Sequence, residues 1–354
     1  MMHIMNAKRN MNKTKQKDTR LVAMKEAMRS RGFTLIELLV SIAIIALLIS
    51  ILAPALGSAR KSGQAVKCMA NLHHVGQAMA GYLTDSGGVY PVAYVYPYDS
   101  AGNYDLMSQE TVNDHPNGYV HWSHFLYSNG QAPKEAFMCP SMKNGGSPRT
   151  NPGSSDWEIG QVDQNGSGGP NPLEDKQSPR IAYGGNAGIF PRNKFTTTMS
   201  NGPRINRFVN EKEINTGRTI LVAEFNDNWK VLGVEEGGGV LSKSHRSINP
   251  FWSATSGSDE YATDPQFSAF TYRPDANYGL RKQSDAAVGW IDQPGVSEVN
   301  AVGRHHPGGD KWGGTANFLY ADGHAERRTV LSTLKGAEWG NKYHAITGDN
   351  RVAN

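Results

Sequence analysis

Residues 33–52 read FTLIELLVSIAIIALLISIL, twenty residues whose one charge is Glu37, and no other feature constrains the chain as strongly. As a helix rising about 1.5 Å per residue, this run is about 30 Å long, the hydrocarbon thickness of a bilayer. A secretory signal core is shorter, about 7–15 residues, and ends at a small-residue cleavage site. Here the helical pattern continues instead. Beyond Pro54 the apolar residues Leu56, Ala59, Val66, Met69, Leu72, Val75, Met79 and Leu83 recur as they do on one helix face. The spacing predicts one long helix, membrane-spanning over 33–53 and soluble over 54–85. Pro54 lacks a backbone N–H and is expected to bend this helix without ending it.

Charge is distributed in a way that fits this reading. Residues 1–32 hold nine Lys or Arg against Asp18 and Glu26, which makes them +7 in a chain of net charge +4 and leaves −3 for the rest. A basic segment before an apolar run orients the span by the positive-inside rule, with 1–32 cytoplasmic and the globular part periplasmic. Lipid is the partner this implies, not nucleic acid. With 354 residues and 38% hydrophobic content, the chain has one span and room for one large domain.

Glu37 is the informative residue. A carboxylate inside a bilayer helix is costly and no Lys or Arg lies within the run, so two readings stand. Either the side chain reaches back to the headgroups, or it pairs with a cation delivered by another chain.

Arg31-Gly32-Phe33-Thr34-Leu35-Ile36-Glu37-Leu38-Leu39-Val40 resembles the type IV prepilin signature: a basic leader ending in Gly, then Phe, Thr and a fifth-position Glu heading an apolar helix. Pro54 stands where pilins place their helix-bending proline. The resemblance implies cleavage between Gly32 and Phe33 by a prepilin peptidase, methylation of the new Phe33 amine, and pairing of Glu37 with that amine on a neighbouring subunit. It makes Thr34, Glu37 and Pro54 assembly residues. The leader is long for this class; a start at Met24 leaves a more typical one. Further pieces are similar to the large planctomycete-type group of pseudopilin-like proteins. These are Cys68 to Met79 with Tyr82 and Pro91, Phe137-Met138-Cys139-Pro140-Ser141, the run 218–224, and 316–324 ending in Asp322-Gly323-His324. The hallmark of that group is a His separated from Asp-Gly by nine intervening residues. Here Trp312 holds that spacing, and His305 and His306 lie upstream of an apparent insertion at 307–311.

The remaining residues predict an α+β fold, in which the long N-terminal pilin-type helix packs on an antiparallel β-sheet globular domain with long loop insertions. The expected organisation is a leader over 1–32 (removed), a transmembrane and assembly helix over 33–53, its soluble half over 54–85, a globular domain over 86–335 and a tail over 336–354. Asp322-Gly323 between strand-like runs 315–321 and 324–330 reads as a tight hairpin. Residues 220–225 suit a buried strand, and 122–127 are ambiguous between helix and strand. Gly-, Asn-, Ser- and Pro-rich stretches at 144–172, 184–203 and 235–258 read as loops.

Cys68 and Cys139, exposed to an oxidising periplasm, form either a disulfide or two separate buried thiols. A metal reading groups His305, His306, Asp322 and His324; its alternative is a polar surface with a local turn bond at Asp322. No cofactor is expected, and no Gly-x-Ser-x-Gly, His-Glu-x-x-His or phosphate-loop motif points to an enzyme. Three functions of different class follow. The first is a structural subunit of a type II secretion pseudopilus or type IV pilus-like filament, whose partners are the prepilin peptidase, other subunits and the inner-membrane assembly platform. The second is a membrane-tethered periplasmic binding module. The third is a surface-anchored glycan-acting enzyme, suggested by Trp122, Trp229, Trp252 and Trp290, aromatics that otherwise belong to a core.

Overall fold

The computed structural model describes residues 34–95, 118–170, 173–190, 208–248, 283, 301–335 and 338–340. The chain divides into two units between Gly57 and Ser58. Helix α1, Leu35–Asp85, runs through Pro54 without ending and is shared by both.

In the first unit the large apolar side chains of α1 from Leu35 to Leu52 are exposed among the described residues. Leu35 is 77% exposed and Leu52 62%. This segment is long and apolar enough to cross a membrane, and a lipid or protein surround is what such a face requires.

The second unit buries the other end of α1. Ala65, Cys68, Leu72, Val75, Met79 and Leu83 are buried, at steps of three or four that keep them on one stripe. Leu56 and Val66, expected on that stripe, are exposed, so burial begins at Ala65. His73 and His74 are both exposed. Gly76 permits the close approach of α1 to the sheet: a Cβ there would stand 2.8 Å from Leu319 Cδ1.

The main sheet has the order β10-β11-β7-β6, with β12 also on β11. Its members are β6 (Tyr183–Gly185), β7 (Ile220–Glu224), β10 (His306–Asp310), β11 (Gly313–Tyr320) and β12 (Ala325–Arg328), all paired antiparallel. All five residues of β7 are buried, as its apolar run predicts. β11 and β12 flank the Asp322-Gly323 turn, with Gly323 at φ 91°. Residues 307–310, within the stretch read as an insertion, belong to β10, which pairs its first residue His306 with Thr315.

Smaller elements surround this sheet. β1 (Tyr94–Val95) pairs with β2 (Val120–His121), and β3 (Ser147–Pro148) with β5 (Arg180–Ile181). A third group joins β4 (Gln161–Val162), β8 (Gly233–Glu236) and β9 (Gly239–Ser242). β4 and β9 are parallel, an exception to the antiparallel expectation. The stretch 235–258, expected as a loop, begins with the β8–β9 hairpin, whose Gly237 and Gly238 take φ 58° and 81° as a tight turn demands. The ambiguous 122–127 segment is helical: α2, Trp122–Ser128, starts at His121, whose Nδ1 accepts from the Ser123 N–H at 3.2 Å. Trp122 is a core residue, with its ring centroid 5.6 Å from that of Phe137 and 5.5 Å from that of Phe190.

Glycine-rich segments acquire order from buried carboxylates. Asp175 accepts from Tyr119 N, Asn151 N and Asn151 Nδ2 at 2.7, 2.9 and 2.6 Å, pulling three separate segments together. Glu158 does the same for Arg180 and Asn144, both at 2.7 Å. After helix α3, Val330–Lys335, the described residues Glu338 and Trp339 of the stretch expected as a tail are buried. Trp339 is buried and donates Nε1 to Thr333 Oγ1, while Glu338 meets the Tyr320 hydroxyl and Arg328. Residues 341–354 lie outside the described residues.

Candidate functional site

Gly32 and Phe33 lie outside the described residues, so the N-terminal site is built from Thr34 onward. Thr34 caps α1. Its hydroxyl accepts from the Glu37 N–H at 3.2 Å, and its own N–H and Oγ1 donate to Glu37 Oε2 at 2.9 and 2.8 Å. This is a capping box, the Thr-x-x-Glu pattern visible at residues 34–37, in which each side chain accepts the backbone N–H of the other residue. Sequence reasoning had assigned the carboxylate to a neighbour or to the headgroups and missed this local use. Both Thr34 donors go to Oε2; Oε1 takes part in neither bond. The carboxylate is therefore held at the head of the apolar helix through Oε2 alone in this box.

A second site lies in the core of the second unit. Cys68 of α1 and Cys139 are joined as a disulfide, with 2.08 Å between the sulfurs. Cys139 is held in a turn in which its N–H donates to the Gly145 carbonyl at 2.8 Å. The link fixes α1 to the turn that follows Phe137. Two further donors adjoin it. Glu224, the last residue of β7, and His306, the first of β10, have fully buried side chains and face each other with 2.9 Å between Oε1 and Nε2. The sulfur of Cys139 is 3.9 Å from His306 Nε2 and 3.8 Å from His305 Nε2.

Glu224 is oriented by Asn317 of β11. The Asn317 N–H donates to Oε2 at 2.7 Å, and Asn317 Nδ2 reaches Oε1 at 2.9 Å and the Ala65 carbonyl at 3.2 Å. A buried carboxylate needs such donors. Burial holds the His305 imidazole below its usual range, partly opposed by the negative charge of Glu224.

The sequence-based metal grouping is divided by this topology. His306 pairs with Thr315, and Asp322 follows seven residues later, roughly 20 Å along a strand at about 3.3 Å per residue. Asp322 and His324 stay together at the hairpin, 2.5 Å apart and partly exposed, where Asp322 also accepts from the His324 N–H. Among the described residues, the ligand-type side chains that converge are Cys68, Cys139, Glu224 and His306, whose donor atoms all lie within 4.8 Å of one another. Glu224 was missed. Its signal in the sequence is an acid closing the apolar run 220–224, the same kind of anomaly as Glu37.

Of the tryptophans weighed for glycan stacking, Trp122 is buried and Trp229 half-buried, while Trp252 and Trp290 lie outside the described residues.

No curated protein and no solved structure matches the chain. The prokaryotic N-terminal methylation motif matches residues 27–53, the segment that contains the Thr34–Glu37 box and the exposed apolar part of α1, and it supports a prepilin-type, pilin-like precursor anchored through that helix.

Proposed function

We propose that this chain is a structural subunit of a type II secretion pseudopilus or a type IV pilus-like filament. A prepilin peptidase cuts between Gly32 and Phe33 on the cytoplasmic face and methylates the Phe33 amine. The globular domain faces the periplasm, and the inner-membrane assembly platform lifts the subunit out of the bilayer into contact with its neighbours. The observation that carries this reading is the methylation motif over 27–53, whose helical part from Leu35 onward carries exposed apolar side chains. In the bilayer, lipid covers those side chains; in a filament, the same segment of neighbouring subunits replaces the lipid. Glu37, offering a carboxylate oxygen at the first turn, attracts the amine of the adjoining subunit in low dielectric, where opposite charges attract strongly.

The test is the mass of the N-terminal peptide from membrane-extracted protein, together with crosslinking of a Val40→Cys chain in intact cells. A peptide beginning at methylated Phe33 and ladders of disulfide-linked subunits are expected. Retention of residues 1–32, or a strictly monomeric Val40→Cys chain, overturns the reading; the latter result fits a tethered binding module instead.

A further inference from the structure

A disulfide requires two residues, yet four ligand-type side chains have been brought together around this one. Cys68 comes from α1, Cys139 from the turn after Phe137, Glu224 from the end of β7 and His306 from the start of β10. Burying a carboxylate and an imidazole is costly unless their hydrogen-bonding groups are met. This site meets them in a particular way. His306 turns Nε2 toward the cluster and holds Nδ1 3.4 Å from Ser141 Oγ, as ligating histidines engage their outer nitrogen with a second partner. Asn317 positions the carboxylate from behind. The buried Nδ1 of His305 and Oδ1 of Asn317 have no hydrogen-bond partner, so the polar complement of the site is incomplete with the disulfide in place.

We propose that Cys68, Cys139, His306 and Glu224 form a metal centre when the disulfide is reduced, taking one zinc-type divalent ion in a tetrahedral set of two thiolates, one imidazole nitrogen and one carboxylate oxygen. The site thus has two closed states, a covalent one in the oxidised chain and a coordinated one in the reduced chain. Each ties α1 to the sheet. The donor types and number are those of a closed zinc site. With Zn–S of about 2.3 Å the sulfurs stand about 3.8 Å apart at the edge of the tetrahedron, and the other donors already fall within 4.8 Å. Passage between the states takes two electrons. A phosphine supplies them: phosphorus attacks one sulfur, the S–S bond breaks, water gives its oxygen to form the phosphine oxide, and its two protons leave both sulfurs as thiols. Binding of the ion then releases the thiol protons to solvent. The proposal is independent of filament assembly.

The experiment uses the full chain in detergent, reduced with a water-soluble phosphine under inert gas and titrated with Co²⁺ as the probe. One equivalent should bind, with thiolate-to-cobalt charge transfer and the intense visible bands of tetrahedral cobalt, and the unreduced chain should show neither. His306→Ala and Glu224→Ala should each weaken binding about tenfold or more, whereas His324→Ala, on the exposed hairpin, should leave it unchanged. A second chain, Cys68→His, cannot form the disulfide and keeps four donors; it should bind Co²⁺ without reductant. If reduction unfolds the wild-type chain, recovery of its circular dichroism on adding Co²⁺ supports the proposal. A pale octahedral spectrum, equal binding by His306→Ala, or failure of both the reduced wild type and Cys68→His to take up the ion overturns it.

Discussion

Tyr183 of β6 directs its hydroxyl at the carbonyl of Cys68 in α1, 2.9 Å away, and shares that donor with the Met138 carbonyl at 3.1 Å. One phenol thus joins strand, helix and turn beside the disulfide. The hydroxyl is buried, so Tyr183→Phe removes this shared bond, although the Met138 carbonyl keeps Asn71 Nδ2 at 2.8 Å, and should cost about 1 kcal/mol. A lower denaturation midpoint with unchanged slope checks this; an unchanged midpoint refutes it.

Gly76 sets the distance between α1 and β11. Gly76→Ala gains about 1 kcal/mol of helix propensity but must displace the Leu319 side chain, so the two effects nearly cancel. Gly76→Val adds branching against the same methyl and should cost about 1–3 kcal/mol by overpacking. Thermal denaturation of both variants measures the contrast. Equal stability of wild type and Gly76→Val would show that the helix does not approach the strand this closely.

The globular unit should respond to acid in two opposed ways. Burial holds the His121 imidazole well below its usual range, and burial together with Lys176 and Lys134 pushes His124 down to about 4. Their contribution is fully present above about pH 6.5, the unfolded value, and is lost as pH falls toward 4. Burial pushes Asp175 the other way, up to about 6, against the opposing pull of its amide donors. Its ionised form costs about 3 kcal/mol above that pH, a cost relieved as pH falls toward the unfolded value of about 3.9. His121→Asn, which keeps a capping acceptor, should therefore be less acid-sensitive than wild type between pH 6.5 and 4, and Asp175→Asn should be more acid-sensitive than wild type. Denaturant midpoints across that range provide the measurement.

Glu37→Gln separates two uses of one side chain. Glutamine retains a capping-box acceptor for Thr34 but carries no charge. The substituted chain should still insert and be processed, while yield of filament or of Val40→Cys crosslinks falls by an order of magnitude or more. Normal assembly of Glu37→Gln would leave the cap as the whole purpose of the carboxylate.

Removing the disulfide by Cys139→Ser in the oxidised chain opens a loop with a sequence separation of 71. The chain-entropy relation gives a loss of about 4 kcal/mol for a loop of that size. Mass spectrometry under non-reducing alkylation should find no free thiol in the parent chain.

What was legible in the sequence follows from the range of the forces involved. The membrane helix and the hairpin at Asp322-Gly323 are written in contiguous residues, so periodicity and turn chemistry reveal them. The Thr34–Glu37 box and the Gly237-Gly238 turn are equally local, carried by a Thr-x-x-Glu pattern and a Gly-Gly pair, but a stronger signal overlies each: the bilayer-length apolar run over the first and the loop-like composition around the second. The Cys68, Cys139, Glu224 and His306 cluster is different in kind: its members lie on four elements up to 238 positions apart, from 68 to 306. The pairing of β10 on β11 and of β11 on β7 brings Glu224 and His306 together, and the packing of α1 and the turn at Cys139 adds the cysteines. Ordering of the Gly-rich segments by Asp175 and Glu158 is likewise tertiary; their composition advertises flexibility, whereas buried carboxylates remove it.

The covalent link at Cys68 has a mechanical consequence. A pull arriving along α1 reaches residue 68 and passes through the sulfur bridge directly to residue 139, so everything from 69 to 138 is wired in parallel with a bond that scarcely stretches. Tension cannot straighten that loop, and roughly 240 Å of contour, 70 residues at about 3.4 Å each, stays hidden from extension. Load is delivered instead into the chain beyond residue 139, which leads to the interior strands.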